Sequence, residues 1–302
     1  MFEFGRELMK LIAGERSRPF ADGLTGGDST LLELLDLSLL LQEAKGADVA
    51  AGRIGAKDKA QLRLDAAVVW REVARRSGDA VALRKAAATA EAAASAFDPD
   101  RRPDGWARAR CEQGVCALLG SELFGDPGLD AAAEAAFREA RNVARGGIAA
   151  ALADVGLAIV EARQDLAKGD QDAAHRAVAR FNSPIAALDA LSRRVAAARP
   201  LAAEARLARA DLLCGWGARL KDETLLNCAV QDAAVAAERM DSGYEPLTWA
   251  RAEIMRGQAL ALWGEAAGDV DAVASGATAL AAALDHLTRD HSPLDWARTQ
   301  IA

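Results

Sequence analysis

The sequence predicts an all-α protein, and three features lead to that prediction. Alanine, the residue with the best helix propensity, dominates long stretches such as LRKAAATAEAAASAF and DAAAEAAFREARNVARGG. The alternation of β-branched or aromatic residues with polar ones that marks strands is not sustained anywhere. A proline- and tryptophan-bearing segment recurs along the chain, which is typical of repeated helical hairpins. With 302 residues and 51% hydrophobic composition, the chain has ample material for a core.

The N-terminal region, residues 1–56, does not follow the repeat. The stretch FEFGRELMKLI is amphipathic and LLELLDLSLLLQEAK reads as a strongly apolar helix, while AGERSRPFADGLTGGDST between them reads as a mobile loop. We expect these residues to form capping helices that cover the first repeat. The alternative is a docking helix for a partner or a membrane surface, although the stretch has no basic face.

The repeat is clearest in PLTWARAEIM and PLDWARTQIA, which begin 47 residues apart at Pro246 and Pro293. A third copy, RPDGWARARCEQGVCALLG, places Pro103 three residues before its tryptophan, as the other two do. Glycine follows the tryptophan by eight residues in two copies, at Gly114 and Gly257. Three weaker copies begin near Lys57, near Ile148 and at Pro200.

Each copy reads as a helix, a short break and a second helix. The breaks SGD, FGDPG, KGD, LKDE and AGD each supply a Gly or Lys that ends the first helix and an Asp or Glu that starts the second. Prolines in FDPDRRPDG, DSGYEPL and RDHSPL then set the first turn of the next copy. The expected first helices are 58–76, 104–123, 148–168, 200–219, 246–266 and 293 onward, and the second helices are 80–96, 128–145, 171–191, 223–239 and 271–288.

Residues 57–302 are therefore expected to form an α-solenoid of about five hairpins and a truncated sixth. Bulky tryptophans at the repeat spacing indicate packing between copies rather than a ligand site, and we assign Trp70, Trp106, Trp249 and Trp263 to the core. A half repeat would leave an apolar face uncovered, so we expect the chain to continue in a longer protein. The alternative is that the last helix itself serves as the cap.

The pattern of tryptophan, glycine eight residues later and an alanine-rich second helix resembles the tetratricopeptide repeat family, in a long bacterial form of about 47 residues. The resemblance covers about residues 57–302 and implies a right-handed superhelix of hairpins whose first helices line a concave groove. HEAT-like or other α-α repeats remain open, because one copy has Asp211 near the expected glycine and another lacks its tryptophan.

Several classes of function are disfavoured by charge and composition. A net charge of −7 without a basic run disfavours nucleic acid as the main ligand. No apolar run reaches the roughly 18 to 20 residues of a membrane span. Acidic Glu3 and Glu7 stand where a secretory signal would be basic, so the protein is expected in the cytoplasm. Abundant Ala and Arg with little Lys suggests a bacterial source.

The sequence contains no signature of a metal site, a cofactor site or an enzyme. The four cysteines form no CxxC pair and the three histidines no HExxH motif, so no metal or other cofactor is expected, and the cysteines read as small buried hydrophobes. No P-loop, Gly-rich dinucleotide turn or GxSxG is found, which favours a non-enzymatic role. The alternative is that these repeats select substrates for a catalytic domain beyond residue 302.

The resemblance implies that the concave groove binds a peptide or helix of another protein, as an adaptor or scaffold. Arginine follows the repeated tryptophan by two residues at Arg108, Arg251 and Arg298. In the family this position points toward the groove, where a row of guanidinium groups would suit acidic or C-terminal carboxylates. The alternative is that these arginines pair with surface Asp and Glu. Self-association as a scaffold is a further expectation.

Overall fold

The protein is all-helical in the part that its computed structural model describes, residues 18–53, 58–169 and 171–302, and no strand occurs in those ranges. The amphipathic stretch FEFGRELMKLI lies outside them. Successive helices pack against one another along the chain.

The helices lie in pairs, and we call the first helix of each hairpin its A helix and the second its B helix. Before the hairpins come α1 (Arg18–Gly26), a 3-10 helix (Thr30–Leu34) and α2 (Leu37–Gly52). The A helices are α3 (Lys59–Ser77), α5 (Pro103–Phe124), α7 (Gly147–Lys168), α10 (Ala198–Leu220), α12 (Pro246–Ala267) and α14 (Pro293–Ile301). The B helices are α4 (Ala80–Ala94), α6 (Gly128–Val143), the pair α8 (Gln171–Arg180) and α9 (Asn182–Ser192), α11 (Glu223–Arg239) and α13 (Val270–His286).

Three of the five predicted breaks, SGD, LKDE and AGD, are built as the sequence predicts. Asp79, Asp222 and Asp269 cap the B helices that follow them, each accepting hydrogen bonds from backbone N–H groups of the first turn. The residue before each Asp closes the preceding A helix in the left-handed conformation, with φ of 72° at Gly78 and 69° at Gly268. Glycine reaches this conformation without strain.

In FGDPG, Gly125 ends α5 as predicted, but the N-cap residue of α6 is Pro127, which makes no side-chain cap hydrogen bond. Asp170 of KGD lies outside the described residues.

The predicted B helix 171–191 is wrong as a single helix, because Phe181 separates α8 from α9. Pro184 explains the interruption. It has no N–H to donate to the carbonyl of Arg180, and its ring would clash with that carbonyl in a continuous helix. Proline is tolerated in the first turn of a new helix, and that is where Pro184 lies in α9.

The N-terminal region also differs from the prediction. The segment read as a loop contains α1 and the start of the 3-10 helix. The apolar helix 31–45 is not continuous, because Leu35 is extended and Asp36 caps a new helix by accepting from the N–H of Leu39. An Asp favours such a cap because its side chain replaces a missing helical hydrogen bond.

Glycines in the A helices are where the B helices come closest. A Cβ on Gly114 would lie 2.6 Å from the ring of Phe137, and one on Gly257 would lie 2.7 Å from Leu280. In both hairpins the apolar partner follows the glycine by 23 residues. The glycine eight residues after tryptophan is therefore a packing residue in both copies, since a larger side chain has no room.

A second close approach, absent from the sequence prediction, lies nearer the hairpin turn. A Cβ on Gly120 would lie 2.7 Å from Leu129, and a Cβ on Gly264 would lie 2.8 Å from Val273. Each partner follows its glycine by nine residues, and the same spacing joins Gly217 to Leu226. Three hairpins thus repeat one detail of packing, which is direct structural support for a repeated unit.

Contacts divide the chain into two compact units, Met1–Gly156 and Leu157–Ala302, with the division inside α7. We call them the N-terminal unit and the C-terminal unit. The predicted boundary at residue 56 is a different kind of division and stays a prediction.

The expected core residues are only partly buried. Trp70 is buried, but Trp106, Trp249 and Trp263 are half-buried, and the most enclosed indole is Trp216 with 0% exposure. Three cysteines are buried as predicted, whereas Cys228 is exposed. In the described ranges, no helix combines the length and hydropathy needed to cross a membrane.

Candidate functional site

The C-terminal unit has a cavity of about 600 Å³ on its A helices. It runs along α10 from Asp211 to Ala218 and along α12 from Met255 to Leu262. Two residues of α7 also line it. Eight helical residues span about 10 Å, so the cavity is roughly two helical turns long. Residues that line it include Arg163, Leu166, Asp211, Leu212, Met255 and Gln258.

Small residues create the cavity. Gly215 and Ala218 of α10 line it and are both exposed, so this part of the helix presents little side chain. A Cβ on Gly215 would touch Leu166 of α7 at 3.4 Å, which is ordinary contact distance. Asp211, Gly215 and Ala218 follow the spacing of one helix face. That spacing is the signal from which the sequence could have indicated this surface.

The lining combines apolar side chains with a few polar groups. Leu166, Leu212 and Met255 supply apolar surface, and Arg163, Asp211 and Gln258 supply charge and an amide. Such a mixture is typical of sites that bury an apolar group and orient it with a small number of hydrogen bonds. Methionine adapts its shape to different occupants because its chain is unbranched and flexible.

Cys214 also lines this cavity, but as an unreactive thiol. Burial, together with the neighbouring charge of Asp211, raises the pKa of Cys214 to about 12. The thiolate is the nucleophilic form of cysteine, and here it is almost unpopulated at neutral pH. Cys214 therefore serves as part of the lining surface.

The A helices of the N-terminal unit bind a segment of the same chain instead. Arg108 on α5 donates hydrogen bonds to the carbonyls of Thr25 and Leu24 at 3.3 and 3.5 Å, at the C-terminal end of α1. Asp65 on α3 accepts a hydrogen bond from the hydroxyl of Thr25 at 3.3 Å. Burial lowers the pKa of Arg108, and the charges of Asp65 and Glu112 oppose that shift. Two successive A helices thus hold the end of α1.

The 3-10 helix that follows α1 is anchored more deeply. Arg76 on α3 is 0% exposed and donates to the carbonyls of Leu35 and Leu32 at 2.7 and 2.9 Å. Its third contact is an ion pair with Glu72 at 2.8 Å. A buried guanidinium is stable only when its charge and its N–H groups have partners, and here they do. Arg76 was not singled out from the sequence because two of its partners are backbone carbonyls more than 40 residues away in the chain.

The other two arginines of the predicted row lie in the C-terminal unit. Arg251 on α12 is half-buried and donates to Asp295 of α14 from Nε at 3.1 Å and from Nη2 at 3.0 Å. Arg298 is on α14 and is exposed. Arg108 lies in the N-terminal unit, whereas Arg251 and Arg298 lie in the C-terminal unit. Their common role in partner binding stays a prediction.

The described residues contain no group of three or more His, Cys, Asp or Glu side chains placed to hold a metal ion.

Comparison with protein-family models finds no match, and a search among curated proteins finds none either. The resemblance to tetratricopeptide repeats stays a prediction from the sequence.

Proposed function

We propose that the protein is a non-enzymatic adaptor whose A helices bind a segment of another protein. The observation that carries the proposal is the cavity on α10 and α12, open along about two helical turns. A surface of that length fits two turns of a helix, or about three residues of extended chain. The mixture of Leu, Met and a few polar groups suits an apolar anchor residue of such a segment.

The finer description of the fold belongs to the same proposal. Each unit is a portion of a right-handed α-α superhelix of the tetratricopeptide type, and the A helices form its concave side. The repeated glycine contacts at separations of nine and 23 residues support a shared hairpin geometry. Association of the chain with itself and substrate recognition for a linked enzyme are the other roles that such a surface could serve.

Site-specific photocrosslinking in the native cell tests the proposal. A photoreactive amino acid replaces Gln258 in the cavity or, as a matched control, Ala274, which is exposed on the outer side of α13. We expect position 258 to crosslink one contiguous segment of one protein, and position 274 to yield no such adduct.

The identified segment is then synthesised and its affinity measured by calorimetry. Ala218→Trp should fill the cavity and weaken binding at least tenfold, while Ala274→Trp should leave it unchanged. Equal adducts from both positions, or an affinity indifferent to Ala218→Trp, would remove the cavity as the binding site. An adduct with a second copy of the chain would establish the scaffold instead.

A further inference from the structure

The N-terminal unit contains a second helix-binding surface, formed by Asp65 and Val69 on α3 and Arg108 on α5, which α1 covers. We call it the α1 site. We propose that the α1 site is a receptor for the C-terminal end of an amphipathic helix, and that a partner helix takes the place of α1 there. The α1 site lies in the other unit from the cavity, so this proposal and the proposed function stand or fall separately.

The way in which the end of α1 is held defines the chemistry of the α1 site. The N–H of Gly27 donates to the carbonyl of Leu24 at 2.9 Å, and the N–H of Asp28 donates to that of Gly23 at 2.8 Å. This is a Schellman ending, with Gly27 in the left-handed conformation at φ 87°. Arg108 adds a positive charge at the negative end of the helix dipole and two further bonds to its last carbonyls.

The guanidinium of Arg108 lies close to Gly27 at the end of α1. A Cβ on Gly27 would lie 3.1 Å from a terminal nitrogen of Arg108, so a larger residue would crowd the guanidinium. The α1 site therefore favours a helix that ends in glycine, chiefly because φ at this position is 87°. Leu24, which is 3% exposed, joins the same core cluster as Val69 and supplies the apolar anchor.

Several features make α1 replaceable. It is nine residues long and contains Gly23, which lowers helix stability. Leu24 is the one buried side chain among its residues 22–26, the part whose side chains the structure describes. By contrast, the following 3-10 helix is fixed by Arg76, which is fully buried.

The Gly26–Gly27 pair joins the weakly held helix to the firmly held one. Two adjacent glycines give the backbone wide conformational freedom. The chain therefore has a natural point at which α1 can swing away while residues from 30 onward stay in place.

A peptide-binding measurement on the full-length chain tests the proposal. The probe is a fluorescent peptide with the sequence of residues 17–30, SRPFADGLTGGDST. In the Leu24→Asp variant a charge replaces the apolar anchor, so the internal copy of α1 should leave the surface. We expect the peptide to bind this variant at least tenfold more tightly than it binds the wild type.

Two controls identify the surface. Adding Arg108→Glu to the opened variant should weaken peptide binding at least tenfold, and a peptide carrying Leu24→Asp should not bind. Should Leu24→Asp lose helicity, the milder Leu24→Ala variant takes its place. A properly folded opened variant that fails to bind the peptide, or binds it regardless of residue 108, would show that α1 is a fixed cap and overturn the proposal.

Discussion

The two units use the same kind of A-helix surface in different ways. In the N-terminal unit, α3 and α5 hold α1 through Asp65 and Arg108, and Arg76 fixes the segment that follows. In the C-terminal unit, α10 and α12 border an open cavity with Gly215 and Ala218 on its floor. A repeated hairpin therefore does not by itself determine whether the surface of its A helix is occupied. In the N-terminal unit, buried Arg76, which is not part of the repeat pattern, fixes the segment that follows α1.

The largest expected effect is a loss of stability in the N-terminal unit, where Arg76 fixes the segment that follows α1. Arg76→Ala leaves two buried backbone carbonyls without donors and removes one of the ion-pair partners of Glu72, which should cost about 3–5 kcal/mol of unfolding free energy. Native-state hydrogen exchange of peptides from residues 30–80 measures the loss.

The matched control is Arg75→Ala, which removes a partly exposed partner of the same carboxylate. It should cost about 1 kcal/mol or less. Equal losses for the two variants would mean that the carbonyl bonds of Arg76 contribute little.

The second prediction tests what the two units share. Gly114→Ala and Gly257→Ala each place a methyl group within 3 Å of a B-helix side chain, so each should destabilise its own unit by about 1–3 kcal/mol. Urea unfolding followed by circular dichroism and hydrogen exchange measures both effects.

A glycine without close neighbours provides the control of opposite sign. Nothing lies within 4 Å of a Cβ on Gly46 in α2, so Gly46→Ala should stabilise the chain by about 0.5–1 kcal/mol. Stabilisation by all three changes would show that the hairpins pack less tightly than described.

The third prediction concerns acid stability in the C-terminal unit. Burial tends to raise the pKa of Asp189, but hydrogen bonds and charge from Arg206 and Arg239 outweigh it and lower that pKa below 3.8. A lowered folded-state pKa contributes stability above the unfolded value, and this stability is lost as the pH falls through the folded value. Asp189→Asn should cost about 1–3 kcal/mol at pH 7.

Urea midpoints measured between pH 2 and pH 7 check this point. The cost of Asp189→Asn should shrink as the pH falls below about 3.8, since the wild-type carboxylate is then being protonated. A cost that is the same at every pH would assign the effect to shape rather than charge.

The smallest expected effect is a difference in reactivity between two cysteines, and it tests how well the cavity of the C-terminal unit shields Cys214. A pKa of about 12 leaves on the order of one Cys214 thiol in 10⁴ ionised at pH 8. Iodoacetamide should therefore modify exposed Cys228 well before Cys214, as mass spectrometry of tryptic peptides would show. Comparable rates would mean that the cavity floor opens readily.

The hairpins could be predicted from the sequence because their signals are local. Asp79, Asp222 and Asp269 start B helices next to a residue that ends an A helix, and such caps act within one turn. The division at Phe181 was also within reach, since Pro184 carries its signal.

The two candidate surfaces depend on contacts between distant residues. Arg108 reaches the end of α1 from 83 residues away, and the glycines of that segment suggested a loop. The cavity depends on the approach of α7, α10 and α12, which no single stretch encodes. Only the spacing of Asp211, Gly215 and Ala218 hinted at it.

The glycine contacts at separations of nine and 23 residues have a consequence for how the chain assembles and yields to force. Because each closes only a short loop, a hairpin can form before its neighbours, which favours rapid folding. When the chain is pulled from its two ends in optical tweezers, we expect it to lengthen in steps of one hairpin. Each step would release roughly 160 Å of extended chain.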